Sequence, residues 1–173
     1  SRGLGDVYKR QILKQRQIFN ASLKMHIIIG FLTVLILEFV GLFLFDGILN
    51  IDDDRIVTAQ FIYQFLIIST FFNIISVPYN AVVNAHENML FVALTRIFEV
   101  ILKFLIAAII TYISKDKLFT YGLLMALVPV LLFFVRQIYG HYKYDEVVIN
   151  FGKYHEKSLF CLLYTSPSPR DLY

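Results

Sequence analysis

Apolar residues gather into four long blocks separated by short polar breaks. Leu23 to Phe45 is apolar except for Glu38 and for Lys24 and His26 at its start, and it ends at Asp46-Gly47. Roughly 20 apolar residues in a helix cross a hydrocarbon core of about 30 Å, so this block predicts a transmembrane helix. After the polar stretch Asn50 to Arg55, a second span is predicted over 56–77, ending at Pro78, where the missing N–H breaks a helix. Tyr79 to Asn88 is short and polar and predicts a reversing loop. The third block, 89–113, carries Arg96, Glu99 and Lys103; Ser114 to Lys117 predicts a tight turn, and 118–139 is the fourth block, with Pro129 inside it. Neighbouring helices re-satisfy the carbonyl that a proline frees, so Pro129 predicts a kink rather than an end. Residues 140–160 are amphiphilic and predict an extramembrane linker or interfacial helix. The pattern as a whole predicts an all-α membrane protein with four transmembrane helices in antiparallel order.

Composition agrees with that reading. Of 173 residues, 58% are hydrophobic and only 17% charged, against about 25% charged in soluble domains. There is one cysteine, so neither a disulfide framework nor a cysteine-rich metal site is expected.

The two ends have another origin. Asp6 to Gln11 back-translates to GAT GTG TAT AAG AGA CAG, and Cys161 to Ser166 to TGT CTC TTA TAC ACA TCT, its reverse complement in a shifted frame. Ser1 to Gly5 and Pro167 to Asp171 extend the inverted repeat outward. The string resembles a transposon-end adapter used in sequencing libraries. Residues 1–11 and 161–173 are therefore expected to be translated adapter, as a processing scar would be, and 12–160 an internal piece of a longer reading frame. Without the flanks the net charge falls from +3 to +1.

Lys and Arg set the expected orientation. Lys14, Arg16, Lys24, Arg136, Lys143, Lys153 and Lys157 fall on one side, and Arg55, Lys115 and Lys117 on the other. Both ends of the piece are thus expected in the cytoplasm.

Chemistry inside the membrane rests on few side chains. Arg96, Glu99 and Lys103 recur at i, i+3 and i+7, on one stripe of the third helix. A charge at a helix centre costs roughly 2.5–3.5 kcal/mol on insertion scales, so the stripe is expected to face protein or a water-filled cavity. It would serve as a polar wall for an anionic substrate, or as an ion network fastening two helices. Glu38 is a candidate proton or cation carrier, or a partner for Arg96 or Lys103 from the adjacent helix. Ser69, Asn73, Ser76 and Asn80 form a polar seam on the second helix, with Gln60 and Gln64 above it, suited to interhelical hydrogen bonds. Tyr63, Tyr79, Tyr112, Tyr121, Tyr139 and Tyr142 are expected in the aromatic belt. His26, His86, His141 and His155 have no metal-ligand spacing, and no catalytic constellation is visible.

The run from Val77 through Pro78-Tyr79-Asn80-Ala81 to Ala85-His86-Glu87-Asn88-Met89, followed by Arg96, Glu99 and Lys103, resembles the junction of the fourth and fifth helices in bacterial polysaccharide flippases. These belong to the multidrug/oligosaccharidyl-lipid/polysaccharide exporter superfamily, and the resemblance covers nearly all of Phe19 to Tyr154. It implies a transporter rather than an enzyme, in the bacterial cytoplasmic (inner) membrane, with no cofactor, metal or nucleic acid. The four spans would be helices three to six of the amino-terminal lobe of a transporter of about twelve helices or more, working by alternating access. Its partners would be the bilayer and a polyprenyl-pyrophosphate-linked oligosaccharide of the O-antigen or capsule kind. Arg96 and Lys103 would then face the cavity, Glu99 would lower its positive charge, and Pro78, Asn80, His86 and Glu87 would belong to a gating loop.

Three other readings compete. A cation-coupled multidrug exporter of the same superfamily would use carboxylates in the early helices, of which Glu38 is one. A membrane-embedded glycan-synthesis enzyme would need catalytic carboxylates outside the membrane, such as Asp52, Asp53 and Asp54. A purely structural four-span subunit would need neither.

Overall fold

The computed structural model describes residues 2–48, 51–112 and 116–149. They form four helices, α1 (Arg2–Phe43), α2 (Asp53–Ala85), α3 (Met89–Ile109) and α4 (Lys117–Lys143), and no strand among the described residues. A π-helical turn, Leu44–Ile48, follows α1, and a 3-10 turn, Ile110–Tyr112, follows α3. Three stretches, Lys9–Asp46, Arg55–Ala85 and Lys117–Lys143, are long and apolar enough to cross a membrane. The third expected span is the exception. Every 18-residue stretch of α3 contains Arg96, Glu99 and Lys103, and those charges keep it out of that class.

α1, α2 and α4 outrun the sequence-predicted spans, whereas α3 ends at Ile109, inside the predicted 89–113. Residues 2–11, the expected adapter flank, continue α1, with Lys9, Arg10 and Gln11 exposed; the other flank, 161–173, lies outside the described residues. The expected stop at Pro78 does not occur, since α2 runs through it to Ala85. Pro78 is fully buried, and the helix beyond it is held by packing of Tyr79 and Val83 in the core. Tertiary contact here outweighs the one hydrogen bond that proline removes. The reversing loop shrinks to His86, Glu87 and Asn88. Glu87 takes the turn with φ of 52°, in the left-handed region, and the Asn88 side chain accepts from the Phe91 N–H to cap α3.

α2 and α4 share the most extensive helix contact, with α1 on α2 and α3 on α4. Between α1 and α2, Phe19 meets Tyr79 and Phe31 meets Phe71, and Phe45 of the π-helical turn meets Tyr63. Between α2 and α4, Phe61 and Phe65 meet Phe119, Phe72 meets Phe133, and Ser76 meets Arg136. On α3, Phe91 stacks on Tyr139, while Ile106 packs with Val128 and Leu132. Two glycines set how near the helices come: a Cβ on Gly41 would lie 2.5 Å from the Tyr63 ring, and one on Gly122 would lie 2.8 Å from Ile62. Small residues at such crossings permit the backbone contact on which membrane helices rely.

The main core joins Phe19 and Leu23 of α1, Tyr79 and Val83 of α2, Phe133 of α4, and Tyr144 and Val147 beyond it. Tyr79, expected in the aromatic belt, is 2% exposed, whereas Tyr112 and Tyr142 do lie open. Large apolar side chains such as Phe31, Leu35 and Phe39 of α1 and Leu90 and Phe104 of α3 face outward, as a lipid-facing or assembly surface would. The predicted linker also differs from expectation. Its start completes α4 to Lys143, and residues 144–149 fold back against the helix ends, with Val147 only 1% exposed.

Candidate functional site

The charged stripe is built by helical spacing. Thr95, Glu99, Leu102 and Ile106 recur every three to four residues along α3, and Thr95 and Ile106 are buried while Leu102 packs against the cluster of Ile106, Val128 and Leu132. Glu99 therefore sits on the face turned toward α4. Arg96 and Lys103, seven residues apart, stand roughly 40–60° round the helix from Glu99, toward the open side. Lys103 Nζ donates to Glu99 Oε1 at 2.6 Å, and both side chains are half-buried, whereas Arg96 is exposed. Glu before Lys at this spacing is the favourable order along the helix dipole.

A fourth charge joins this set from α4. The Nη1 of Arg136 donates to Ser76 Oγ of α2 at 3.3 Å, while the Arg136 Nε–H is buried and has no hydrogen-bond partner among the described residues. Ser76 is itself buried and donates to the Asn73 carbonyl, so its hydroxyl is already committed as a donor. Glu99 and Arg96 are the side-chain charges that bear on the guanidinium, the first favourably and the second unfavourably. Glu99 thus links two cations at the junction of α2, α3 and α4, pairing with Lys103 and favouring the charge on Arg136, while Arg96 opposes it. Among the described residues, the set is cationic in excess and keeps one guanidinium donor without a protein partner. Sequence reading placed Arg136 with the cytoplasmic cations. No local signal pairs it with Ser76, sixty residues earlier; the structure places it inside a helix that continues to Lys143. The seam itself divides: Ser76 is buried at this junction, Ser69 and Asn80 are half-buried and Asn73 is exposed.

Glu38 does not reach this junction. α1 packs on α2 rather than on α3, and Glu38 Oε2 accepts from Gln64 Nε2 at 3.0 Å, so the expected pairing with Arg96 or Lys103 is replaced by a contact with the upper glutamine seam. Glu38 and Gln64 line a separate cavity between α1 and α2.

The expected gating-loop residues fall at the other end of the bundle and are split by burial. Pro78 is inside α2 and Asn80 half-buried on it. His86 Nε2 lies 2.6 Å from Glu146 Oε1, and its ring stacks on Tyr144 at 4.3 Å. Glu87 is exposed in the turn. Asn88 Nδ2 donates to the hydroxyls of Tyr139 at 2.7 Å and Tyr144 at 3.3 Å. Asn20 donates to the Val148 carbonyl and Arg16 to the Asp145 carbonyl, so the strap beyond α4 ties α1 to the α2–α3 turn. Nothing in the sequence marked Glu146 or Val147 as partners of the turn.

Among the described residues no group of three or more His, Cys, Asp or Glu could hold a metal ion. No family model, no curated protein and no solved structure matches the chain.

Proposed function

We propose that the chain is part of a bacterial inner-membrane transporter that moves lipid-linked oligosaccharide across the bilayer by alternating access. The four helices form part of its amino-terminal lobe, in antiparallel order, with both ends of 12–160 in the cytoplasm. The register of contacts supports the order: pairs between α1 and α2 run in opposite senses along the two helices, and those between α2 and α4 run in the same sense. One observation carries the functional reading, the buried Nε–H of Arg136, without a hydrogen-bond partner among the described residues, in the field of Glu99 and Arg96. An unmade hydrogen bond at a buried donor costs about 1–3 kcal/mol, which an anionic ligand returns on binding. A pyrophosphate suits this set: guanidinium groups bind phosphate oxygens bidentately and Lys103 contributes a point charge. The lipid tail stays in the bilayer, against the outward apolar faces.

The test is complementation. In cells lacking the parent gene, the full-length protein carrying Arg96→Gln should reach normal membrane levels but restore little surface glycan, and Arg96→Lys should restore part of it. Full restoration by Arg96→Gln contradicts the reading.

A further inference from the structure

A second site lies away from the cationic junction, between the later half of α1 and the early half of α2. It is a cavity of about 510 Å³, within the roughly 300–1,000 Å³ range of small-molecule pockets. Its walls are mainly apolar and include the rings of Phe45, Phe61 and Tyr63, with Glu38 and Gln64 inside and Asp46 at the end of the span. Phe45 and Tyr63 meet edge to face, and Tyr63 lies across the backbone where Gly41 leaves room for it.

Charge decides what such a cavity takes. Two carboxylates, Glu38 and Asp46, line it, and among the described residues no Lys or Arg does. Gln64 is the hydrogen-bond partner of Glu38 among the described residues and supplies no countercharge. A carboxylate in a mostly apolar recess is stabilised by a cation. Metal ions are poorly served there, because a hard divalent cation takes six to eight oxygen ligands and no metal-ligating group of three occurs among the described residues. An organic ammonium matches better. Its positive head is attracted both to the Glu38 carboxylate and to aromatic ring faces, and its carbon substituents fit the apolar wall.

We propose that this cavity is a binding site for an organic ammonium ion, held by Glu38 and flanked by Phe45, Phe61 and Tyr63. The site is independent of the anion junction and stands whether or not the chain moves oligosaccharide. The ammonium comes either from a water-soluble amine or from an ethanolamine lipid headgroup, and the two sources are separable.

Equilibrium dialysis of radiolabelled benzyltrimethylammonium against the full-length protein in uncharged maltoside detergent tests the proposal. Saturable binding is expected in the wild type. Glu38→Gln, which keeps an acceptor for Gln64 but removes the charge, should weaken it by about tenfold or more, and Phe61→Leu should weaken it severalfold. Neopentylbenzene, the uncharged isostere, should not compete. Displacement by short-chain phosphatidylethanolamine but not by phosphatidylglycerol assigns the site to the lipid headgroup, and no displacement by either assigns it to a soluble amine; both uphold the site. The absence of saturable binding to the wild type, wild-type affinity in both variants, or equal competition by neopentylbenzene overturns it. Should Glu38→Gln fail to fold, Phe61→Leu and the neopentylbenzene competition still decide.

Discussion

His86, at the end of α2, and Glu146, beyond α4, lie 2.6 Å apart across sixty residues of sequence. The Glu146 carboxylate is only 11% exposed, so it depends on this partner more than the half-open histidine does. His86→Ala leaves that carboxylate buried and also removes the ring stacked on Tyr144. A loss of about 1–3 kcal/mol is expected, the cost of an unsatisfied buried polar group. Glu146→Gln, which keeps a hydrogen-bonding atom in place, should cost less. Thermal unfolding of the full-length protein in detergent measures both; equal melting temperatures for wild type and His86→Ala contradict the contact.

Arg136 presents the opposite balance between stability and function. Its buried Nε–H has no partner among the described residues, so a flexible apolar side chain of similar length should relieve a cost rather than create one. Arg136→Met is expected to hold or raise stability, by up to about 1–3 kcal/mol, while lowering transport of an anionic headgroup. The comparison is between melting temperature and transport per folded molecule. A variant that is both less stable and fully active would show that the guanidinium serves packing alone.

The glycines at helix crossings give a prediction confined to packing. Gly41→Ala places a methyl 2.5 Å from the Tyr63 ring and should cost about 1–3 kcal/mol through overpacking. At Gly140 the added Cβ would meet Tyr79 at 3.5 Å, an ordinary contact. Gly140→Ala should therefore be neutral or stabilising by up to about 1 kcal/mol, because alanine is the better helix former. Melting temperatures that fall equally in both variants contradict the crossing geometry.

How far the sequence reveals this structure depends on the range of each signal. The apolar blocks mark α1, α2 and α4 because membrane-length hydrophobicity is a local property, and the i, i+3, i+7 spacing places Arg96, Glu99 and Lys103 on one stripe for the same reason. Pro78 misleads because its effect is judged locally while its outcome is set by the core around Tyr79 and Val83. Arg136, Glu38 and Glu146 resist sequence reading more deeply. Their partners, Ser76, Gln64 and His86, are 60, 26 and 60 residues away, and only the packing of α1 and α4 on α2 selects them.

The central claim, that the junction of α2, α3 and α4 holds an anionic headgroup, is tested most directly by translocation of a polyprenyl-pyrophosphate-linked glycan in proteoliposomes, expressed per folded molecule. Arg96→Gln and Glu99→Gln are compared with the wild type, all in the full-length protein. Arg96→Gln should lower the rate by about tenfold or more, as loss of a charge-assisted pair implies. Glu99→Gln removes the carboxylate that pairs with Lys103 and bears on Arg136, so its rate should match or exceed that of the wild type. Wild-type rates per folded molecule in both variants, with only the yield of folded protein reduced, would contradict the account and leave the stripe as an ion network between helices.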